Sequence, residues 1–130
     1  METMDELIRE LTERKAKLRA GGGSQAVEKQ HKSGKLTARE RLDAFFDPGT
    51  FLEYDLFAKH IGTDYGLDKA ELPADGVVTG VGKVDGRNVF AYSEDFTVVA
   101  GTFGERHGKK ISKTIDLAQR MGCPVVGMND

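Results

Sequence analysis

The chain has 130 residues, of which 38% are hydrophobic, 31% charged and 8% aromatic, a composition typical of one globular domain. Its formal charge of −2 gives no overall attraction to nucleic acid or anionic lipid, so any anion recognition has to be local. No apolar run approaches the roughly 20 residues of a membrane helix, and the acidic amino terminus lacks the apolar core of a secretion signal. The single cysteine, Cys123, excludes an internal disulfide and, among apolar neighbours, is predicted to be a buried structural thiol. A cytoplasmic location is expected.

The amino-terminal residues predict an amphipathic helix over residues 4–19. Thr3 and Glu6 have the spacing of a capping box, and three glycines at 21–23 end the helix. We expect its narrow apolar stripe to dock on the domain body or on another subunit. The stripe consists of Met4, Leu7, Ile8, Leu11 and Leu18. We therefore divide the chain into an amino-terminal helix with its glycine stop, residues 1–23, and a main domain, residues 24–130.

Two short helices and a strand are predicted next. Residues 24–33 form the first, closed by Gly34, and a second capping box at residues 37–40 opens the other. Asp47-Pro48-Gly49 ends that helix, because proline cannot continue it. Residues 51–54 read as a short strand, and residues 58–75 as a polar surface loop.

From residue 75 onward the pattern changes to that of an α/β layer structure. Residues 76–84 and 87–93 alternate as strands around an Asp85-Gly86 hairpin turn, and the glycines at 76, 80 and 82 predict that something packs closely there. A longer helix over residues 104–121 follows, and Gly122 ends it. Its predicted inward residues are Ile111, Ile115, Ala118 and Met121, and its predicted outward ones are Arg106, Lys109, Lys110, Lys113 and Arg120.

The last residues form a predicted strand and the start of a turn. Residues 124–128 read as a short buried strand, and Asn129-Asp130 follow it. In α/β proteins the functional loop lies just beyond the carboxyl end of such a strand. We therefore expect the chain to stop at the threshold of its active site, as a fragment or as one piece of a split protein.

Catalytic signatures are scarce in the sequence. It has no phosphate-binding glycine loop, no Gly-x-Ser-x-Gly elbow and no Cys or His spacing suited to zinc, so we predict no catalytic side chain and no metal site. His31, His60 and His107 each sit among polar residues and are predicted to be surface histidines. Glu94-Asp95 could form a general-base pair, but adjacent acids at a strand end more often cap backbone groups.

Basic residues cluster in two places. Lys35, Arg39 and Arg41 surround the start of the third helix, where the helix dipole and free amides already favour an anion. A phosphate site and a solvated charged face explain this cluster about equally well. The second cluster, on the long helix, fits a solvated face better; it consists of Lys109, Lys110 and Lys113.

Four ordered segments resemble the amino-terminal part of the biotin-dependent acyl-CoA carboxyltransferases. They are residues 34–42 (Gly-Lys-Leu-Thr-Ala-Arg-Glu-Arg-Leu) with 46–51 (Phe-Asp-Pro-Gly-Thr-Phe), then 75–80 (Asp-Gly-Val-Val-Thr-Gly), 95–98 (Asp-Phe-Thr-Val) and 122–130 (Gly-Cys-Pro-Val-Val-Gly-Met-Asn-Asp). This family includes propionyl-CoA carboxylase beta chains, transcarboxylase large subunits and methylmalonyl-CoA decarboxylase alpha subunits. The resemblance spans about residues 20–130.

The resemblance implies a crotonase-like fold, a spiral of β-β-α units, here incomplete and preceded by amino-terminal helices. It implies transfer of a carboxyl group between biotin and the α-carbon of a short-chain acyl-CoA. In the family backbone amides stabilise the developing oxyanions, which agrees with the lack of catalytic side chains. The implied partners are the acyl-CoA substrate, the biotin carboxyl carrier and biotin carboxylase subunits, and further copies in a homo-oligomer.

The resemblance also suggests where coenzyme A lies. In the crotonase-like fold the loop after the hairpin runs beside the adenine and the pantetheine, and Gly101 would permit close backbone approach. The predicted contacts are Lys35, Arg39 and Arg41 to phosphates, with Phe96, Thr97, Gly101 and Thr102 in the loop. Three alternatives remain open: the decarboxylase subunit of a sodium pump, a non-catalytic assembly module, and an unrelated nucleotide-binding domain.

Overall fold

The fold is that of a computed structural model, which describes residues 1, 3–61, 69, 72–101 and 104–130. Three helices precede a mixed sheet, and a fourth helix crosses over it. The helices are α1 (Met4–Arg19), α2 (Ser24–Lys32), α3 (Ala38–Phe45) and α4 (Glu105–Met121), and the strands are β1 (Leu52–Tyr54), β2 (Val77–Val84), β3 (Arg87–Glu94) and β4 (Val125–Met128). No described helix combines the length and apolar character needed to cross a membrane.

The four strands lie side by side in chain order. β1 pairs with β2 and β2 with β3 in antiparallel fashion, with Val84 opposite Arg87 across the predicted two-residue turn. β4 returns parallel to β3 after the α4 crossover, with Phe90 opposite Val125. The chain from β2 to α4 is thus one β-β-α unit, and β4 follows it.

Both predicted capping boxes are confirmed. Thr3 and Glu6 exchange hydrogen bonds at the start of α1, and Thr37 and Glu40 do so at the start of α3. Each pair satisfies amide groups that would otherwise lack a partner. α1 has no buried residue: Leu18 of its apolar stripe is half-buried, whereas the other four members are exposed, so most of the stripe is uncovered within the described chain.

The core forms where α3 lies across β2 and β3. Ala38 and Leu42 project from α3 and are only 1% exposed each, with Phe46 just after the helix. They pack against side chains of the two strands, namely Val78, Val89 and Ala91. This packing fixes the position of α3 over the sheet.

Two glycines of β2 admit aromatic rings; the sequence predicted close packing at these positions but not what packs there. An added Cβ at Gly82 would lie 2.6 Å from Cδ1 of Phe46, and one at Gly80 would lie 2.5 Å from Cε2 of Phe51. The rings of Phe46 and Phe51 stack on each other with centroids 5.2 Å apart. The missing side chains therefore make room for part of the core.

The predicted inward face of α4 is wrong. Of its four predicted residues only Ala118 is buried, while Ile115 is 43% and Met121 58% exposed. The buried face of α4 differs from the predicted one by a rotation about the helix axis, and it is largely polar. It consists of His107, Lys110, Thr114 and Ala118. Polar partners below the helix, described in the next subsection, explain why these side chains turn inward.

Three other expectations need correction. β4 is not buried: its residues alternate between exposed and half-buried, because it is the edge of the described sheet. Of the predicted surface loop, Ala74 and Asp75 are buried, in a 3₁₀ turn over Pro73–Gly76, whereas residues 62–68, 70 and 71 lie outside the described residues. Cys123 is half-buried rather than buried, since it lies in the turn between α4 and the edge strand.

Candidate functional site

The candidate site lies at the carboxyl ends of β3 and β4. Because the two strands are parallel, with Ser93 opposite Met128, the residues that follow them emerge at the same edge of the sheet. Glu94 ends β3, and Asn129 follows β4. This edge is where ligands bind in α/β sheets.

Asp95 shapes the loop after β3. Its Oδ1 accepts hydrogen bonds from the backbone nitrogen of Thr97 at 3.0 Å and from Thr97 Oγ1 at 2.5 Å. This is a capping arrangement, which bears out that interpretation for Asp95. Thr97 Oγ1 also accepts from the backbone nitrogen of Gly22 at 3.0 Å. A Cβ at Gly22 would lie 1.8 Å from the Thr97 carbonyl oxygen, so the glycine triplet packs directly on the loop.

Lys35 lies beside this loop. Its Nζ is 2.6 Å from Oδ1 of Asp130 and 5.3 Å from the ring centroid of Phe96. Gln30 Nε2 donates to the other oxygen of Asp130 at 2.6 Å. Burial raises the pKa of Asp130, but hydrogen bonds from Lys35 and Gln30, with the charges of Lys35 and Arg41, hold it below its usual value. An ionised carboxylate thus faces a half-exposed lysine.

Arg41 bridges the two strand ends. Its Nη2 donates to the Glu94 carbonyl oxygen at 2.5 Å and its Nη1 to the Asn129 carbonyl oxygen at 3.2 Å. Arg39, two residues earlier on α3, points elsewhere and grips Glu53 on β1 with two bonds of 2.6 and 2.9 Å. The predicted basic cluster is therefore split between two structural sites.

The remaining predicted contacts are only partly brought together. Phe96 is 43% exposed at the site. Gly101 has a φ of 70°, and a Cβ there would be 3.9 Å from the Cα of Phe96, so it lies against the same loop. Thr102 lies outside the described residues. Lys35, Arg41, Phe96, Thr97 and Gly101 thus gather around one edge, and Arg39 does not.

The second lysine cluster does not form an anion site. Lys109 pairs with Glu105 one turn away, and Lys113 Nζ lies 2.8 Å from a carboxylate oxygen of Asp55. Lys110, predicted to face outward, is 3% exposed. The three lysines have three different environments.

A buried polar network under α4 was missed by the sequence analysis. His107 is fully buried, contrary to prediction; its backbone nitrogen donates to Oδ2 of Asp75 at 2.7 Å, and its Nδ1 lies 2.9 Å from the Asp75 carbonyl oxygen. Asp75 thereby caps the first turn of α4, because Gly104 at the N-cap position has no side chain to do so. His107 Nε2 is 3.6 Å from Glu94, which connects this network to the site.

The other two histidines differ from His107. His60 is half-buried, and His31 is exposed and pairs with Glu40, so only His31 fits the surface prediction.

Lys110 completes this network. Its Nζ donates to the carbonyl oxygens of Ala74, at 2.7 Å, and of Val77. Ala74 and Asp75 have φ values of 52° and 51°, in the left-handed region that side chains rarely adopt. Lys110 and His107 together hold this strained turn. The only available sequence signal was the helical spacing of residues 107, 110, 114 and 118.

Lys110 makes stability depend on pH. Burial lowers its pKa to about 8 from 10.5, and three carboxylates, Glu53, Asp55 and Asp75, limit the decrease. Between these values the unfolded chain binds a proton that the folded chain has lost, so the contribution of Lys110 to stability rises with pH. We expect the stability of the native chain relative to Lys110→Met, measured by urea unfolding, to increase from about pH 7 to about pH 10.

The matched control for this pH dependence is Lys109→Met, which removes the exposed neighbouring lysine. Its stability difference from the native chain should stay nearly constant over the same range. A difference for Lys110→Met that is flat or falls with pH would contradict the lowered pKa.

Comparison with known proteins identifies the family. The carboxyl transferase domain family matches residues 29–130. The chain belongs to this family. The methylmalonyl-CoA decarboxylase alpha subunit of Propionigenium modestum is 55% identical over 95% of this chain and 24% of its own length. The propionyl-CoA carboxylase beta chain of Cereibacter sphaeroides is 49% identical over 98% of this chain and 25% of its own. This carboxyl transferase segment spans about a quarter of the length of these relatives.

Solved structures confirm the fold. The transcarboxylase 12S hexamer, determined with methylmalonyl-CoA and methylmalonic acid bound, matches 98% of the segment and 25% of its own chain, with 46% identity and a TM-score of 0.96. A single-chain, multi-domain long-chain acyl-CoA carboxylase matches 98% of the segment and 14% of its own chain, with 36% identity and a TM-score of 0.79. The predicted crotonase-like α/β fold of this carboxyl transferase segment is thus confirmed.

The donor groups also limit what the segment can hold. Within the described ranges no group of three or more His, Cys, Asp or Glu side chains is placed to bind a metal ion. Among the predicted phosphate ligands, Lys35 is half-exposed and has donors to spare, whereas Arg39 faces Glu53 and Arg41 faces two carbonyl groups. We assign no described residue to biotin.

Proposed function

We propose that this chain is part of a carboxyltransferase subunit that moves a carboxyl group between biotin and the α-carbon of a short-chain acyl-CoA, of the propionyl or methylmalonyl type. The observation that carries the proposal is the TM-score of 0.96 with a transcarboxylase that holds methylmalonyl-CoA. Biotin, carried on a partner protein, would donate or accept the carboxyl group. The chain's own contribution is to bind the acyl-CoA and to shape the edge of the sheet beside it.

Within that proposal, coenzyme A lies along the edge formed by the ends of β3 and β4. Lys35 is the best-placed phosphate ligand, because its ammonium group has three donors and only one is used by Asp130. Phe96 beside it offers an exposed ring for an apolar or aromatic part of the ligand. Thr97, Gly101 and Thr102 stay predicted contacts of the same loop, and Arg39 and Arg41 stay predicted phosphate contacts with weaker support.

The proposal extends to the setting in which the subunit works. We keep the division into residues 1–23 and 24–130 and propose that the segment acts as part of a longer subunit, since its relatives are about four times its length. A homo-oligomer is supported by the hexamer of transcarboxylase 12S. The biotin carrier and biotin carboxylase partners, and the cytoplasmic location, follow from the family resemblance and from the single cysteine.

The decisive experiment uses the intact subunit that contains this chain. With free biotin as acceptor, we expect methylmalonyl-CoA to be converted to propionyl-CoA, measured by chromatography of the CoA esters. No conversion by a folded subunit would overturn the proposed function. Calorimetry tests the assembly-module alternative, because a folded subunit that binds no CoA would support it. The family match already excludes the unrelated nucleotide-binding domain.

Lys35→Met in that subunit should raise the KM for the acyl-CoA about tenfold and leave kcat nearly unchanged, since a charged hydrogen bond contributes on the order of 1.5 kcal/mol. The control is Lys32→Met on α2, which removes a lysine that is 74% exposed and pairs with Glu28. An unchanged KM for Lys35→Met would show that Lys35 does not bind the acyl-CoA and only pairs with Asp130.

A further inference from the structure

The core packing of α3 fixes the backbone position of Arg41. It follows the capping box of α3 and precedes Leu42, which is 1% exposed and packs against β2 and β3. The backbone of Arg41 therefore has little freedom to shift relative to the sheet. Its guanidinium group is a planar fork with fixed spacing between its nitrogen atoms.

That fork spans two parallel strands at their carboxyl ends. Nη2 donates to the carbonyl oxygen of Glu94, the last residue of β3, and Nη1 to that of Asn129, the first residue after β4. Both acceptors are main-chain groups, so the two bonds fix backbone to backbone. β4 is the edge of the described sheet, with only β3 beside it, so this bridge supplements a short parallel pairing.

The same geometry makes Arg41 a poor ligand for an anion. Its Nε is buried and has no hydrogen-bond partner in the described part of the chain, so a phosphate cannot reach the side-on fork formed by Nε and Nη. Both terminal nitrogens already hold carbonyl groups. These contacts favour a different role for the residue, which is control of the distance between the two loops.

We propose that Arg41 is a positioning residue that locks the loop after β3 to the segment after β4, so that the two sides of the candidate site are held in register. The expected loss of catalytic rate depends on the proposed function. The bridge between the two loops does not depend on it, because the bridge can be observed without measuring activity. Displacement of reacting groups by about 1 Å can cost on the order of 100-fold in rate, which is why such a bridge matters.

The test replaces Arg41 with lysine in the intact subunit. Lysine keeps the charge, but its single ammonium group cannot hold both carbonyl oxygens in the fixed geometry of the fork. We expect kcat for carboxyl transfer to fall about 10- to 100-fold while the KM for the acyl-CoA stays within about twofold. The control is Arg120→Lys, which changes an exposed arginine in the last turn of α4 and should alter neither constant.

Amide hydrogen exchange tests whether Arg41 holds the two loops together, independently of enzymatic activity. In Arg41→Lys, amides in peptides covering residues 95–98 and 126–130 should exchange about tenfold faster together, with those of α4 unchanged. Unchanged exchange in either peptide would overturn the proposal, and so would a raised KM with normal kcat, which would mark a ligand contact. If the native subunit transfers no carboxyl group, the proposed function fails and the exchange result still decides the role of Arg41.

Discussion

Arg39→Met is expected to lower the free energy of unfolding by about 3 kcal/mol, because it leaves a buried carboxylate without its partner. Glu53, which Arg39 holds with two hydrogen bonds, has a side chain only 7% exposed. Arg19 lies 3.9 Å from Glu53 but is itself 54% exposed and compensates only in part. Urea unfolding of the native and variant chains measures the loss.

Two further variants make this result interpretable. Combining Arg39→Met with Glu53→Gln removes the stranded charge and should recover part of the lost stability. Arg14→Met removes an arginine 60% exposed and 4.0 Å from its partner Glu10, and should change stability by less than about 0.5 kcal/mol. If Arg39→Met were as stable as the native chain but raised the KM for acyl-CoA in the intact subunit, Arg39 would be a ligand contact instead.

Gly80→Ala is expected to cost about 3 kcal/mol, at the upper end of the range for overpacked sites. The new Cβ would lie 2.4 Å from the carbonyl oxygen of Leu52 and 2.5 Å from the ring of Phe51. The backbone oxygen cannot retreat without disturbing the pairing of β1 with β2, where Glu53 lies opposite Gly80. The measurement is again the free energy of unfolding in urea.

Lys83→Ala serves as the control for Gly80→Ala, because Lys83 is an exposed residue of the same strand. Its effect should stay within about 0.5 kcal/mol. Equal stability of the two variants would show that β1 can move away from β2 at little cost, and that the close approach at Gly80 does not hold the sheet together.

Local patterns predicted much of the secondary structure. The two capping boxes and the Asp85-Gly86 turn were correct, because each depends on contacts between residues within three positions. The glycines at 80 and 82 were correctly interpreted as places of close packing, although the sequence could not say that Phe46 and Phe51 fill them. Such partners lie about 30 residues away and only the fold brings them together.

The errors arose where polar side chains satisfy backbone groups far away in sequence. His107 was predicted to be exposed because its neighbours in sequence are polar, and Lys110 because it was placed on the outward face of α4; burial of either is costly unless it is paired. Their partners are Asp75 and the carbonyl groups around it, in a left-handed turn that no composition rule indicates. Once that turn is present, the apolar residues of α4 lose the inward face to polar ones.

The candidate site was predicted in part for the same reason. Lys35 and Phe96, 61 residues apart in sequence, were both predicted to contact coenzyme A, and the structure puts the Lys35 ammonium group 5.3 Å from the Phe96 ring centroid. Arg39 and Arg41 were named as one cluster, but residues two positions apart on a helix point in different directions. Their partners on β1, at the end of β3 and just after β4 were not visible in the sequence. The family resemblance named these residues as coenzyme A contacts, which stays a prediction, and it could not assign the role of each side chain.

The topology of the sheet also implies an order of assembly. β2 and β3 are joined by a two-residue turn, so this hairpin can form within about 10 μs. β4 pairs with β3 across a connection that contains the whole of α4, so the loss of chain entropy makes this pairing slower than that of the hairpin. The edge that carries Lys35, Phe96 and Arg41 is therefore expected to be the last part of the domain to mature, so a nascent chain should acquire its hairpin well before it can recognise a ligand.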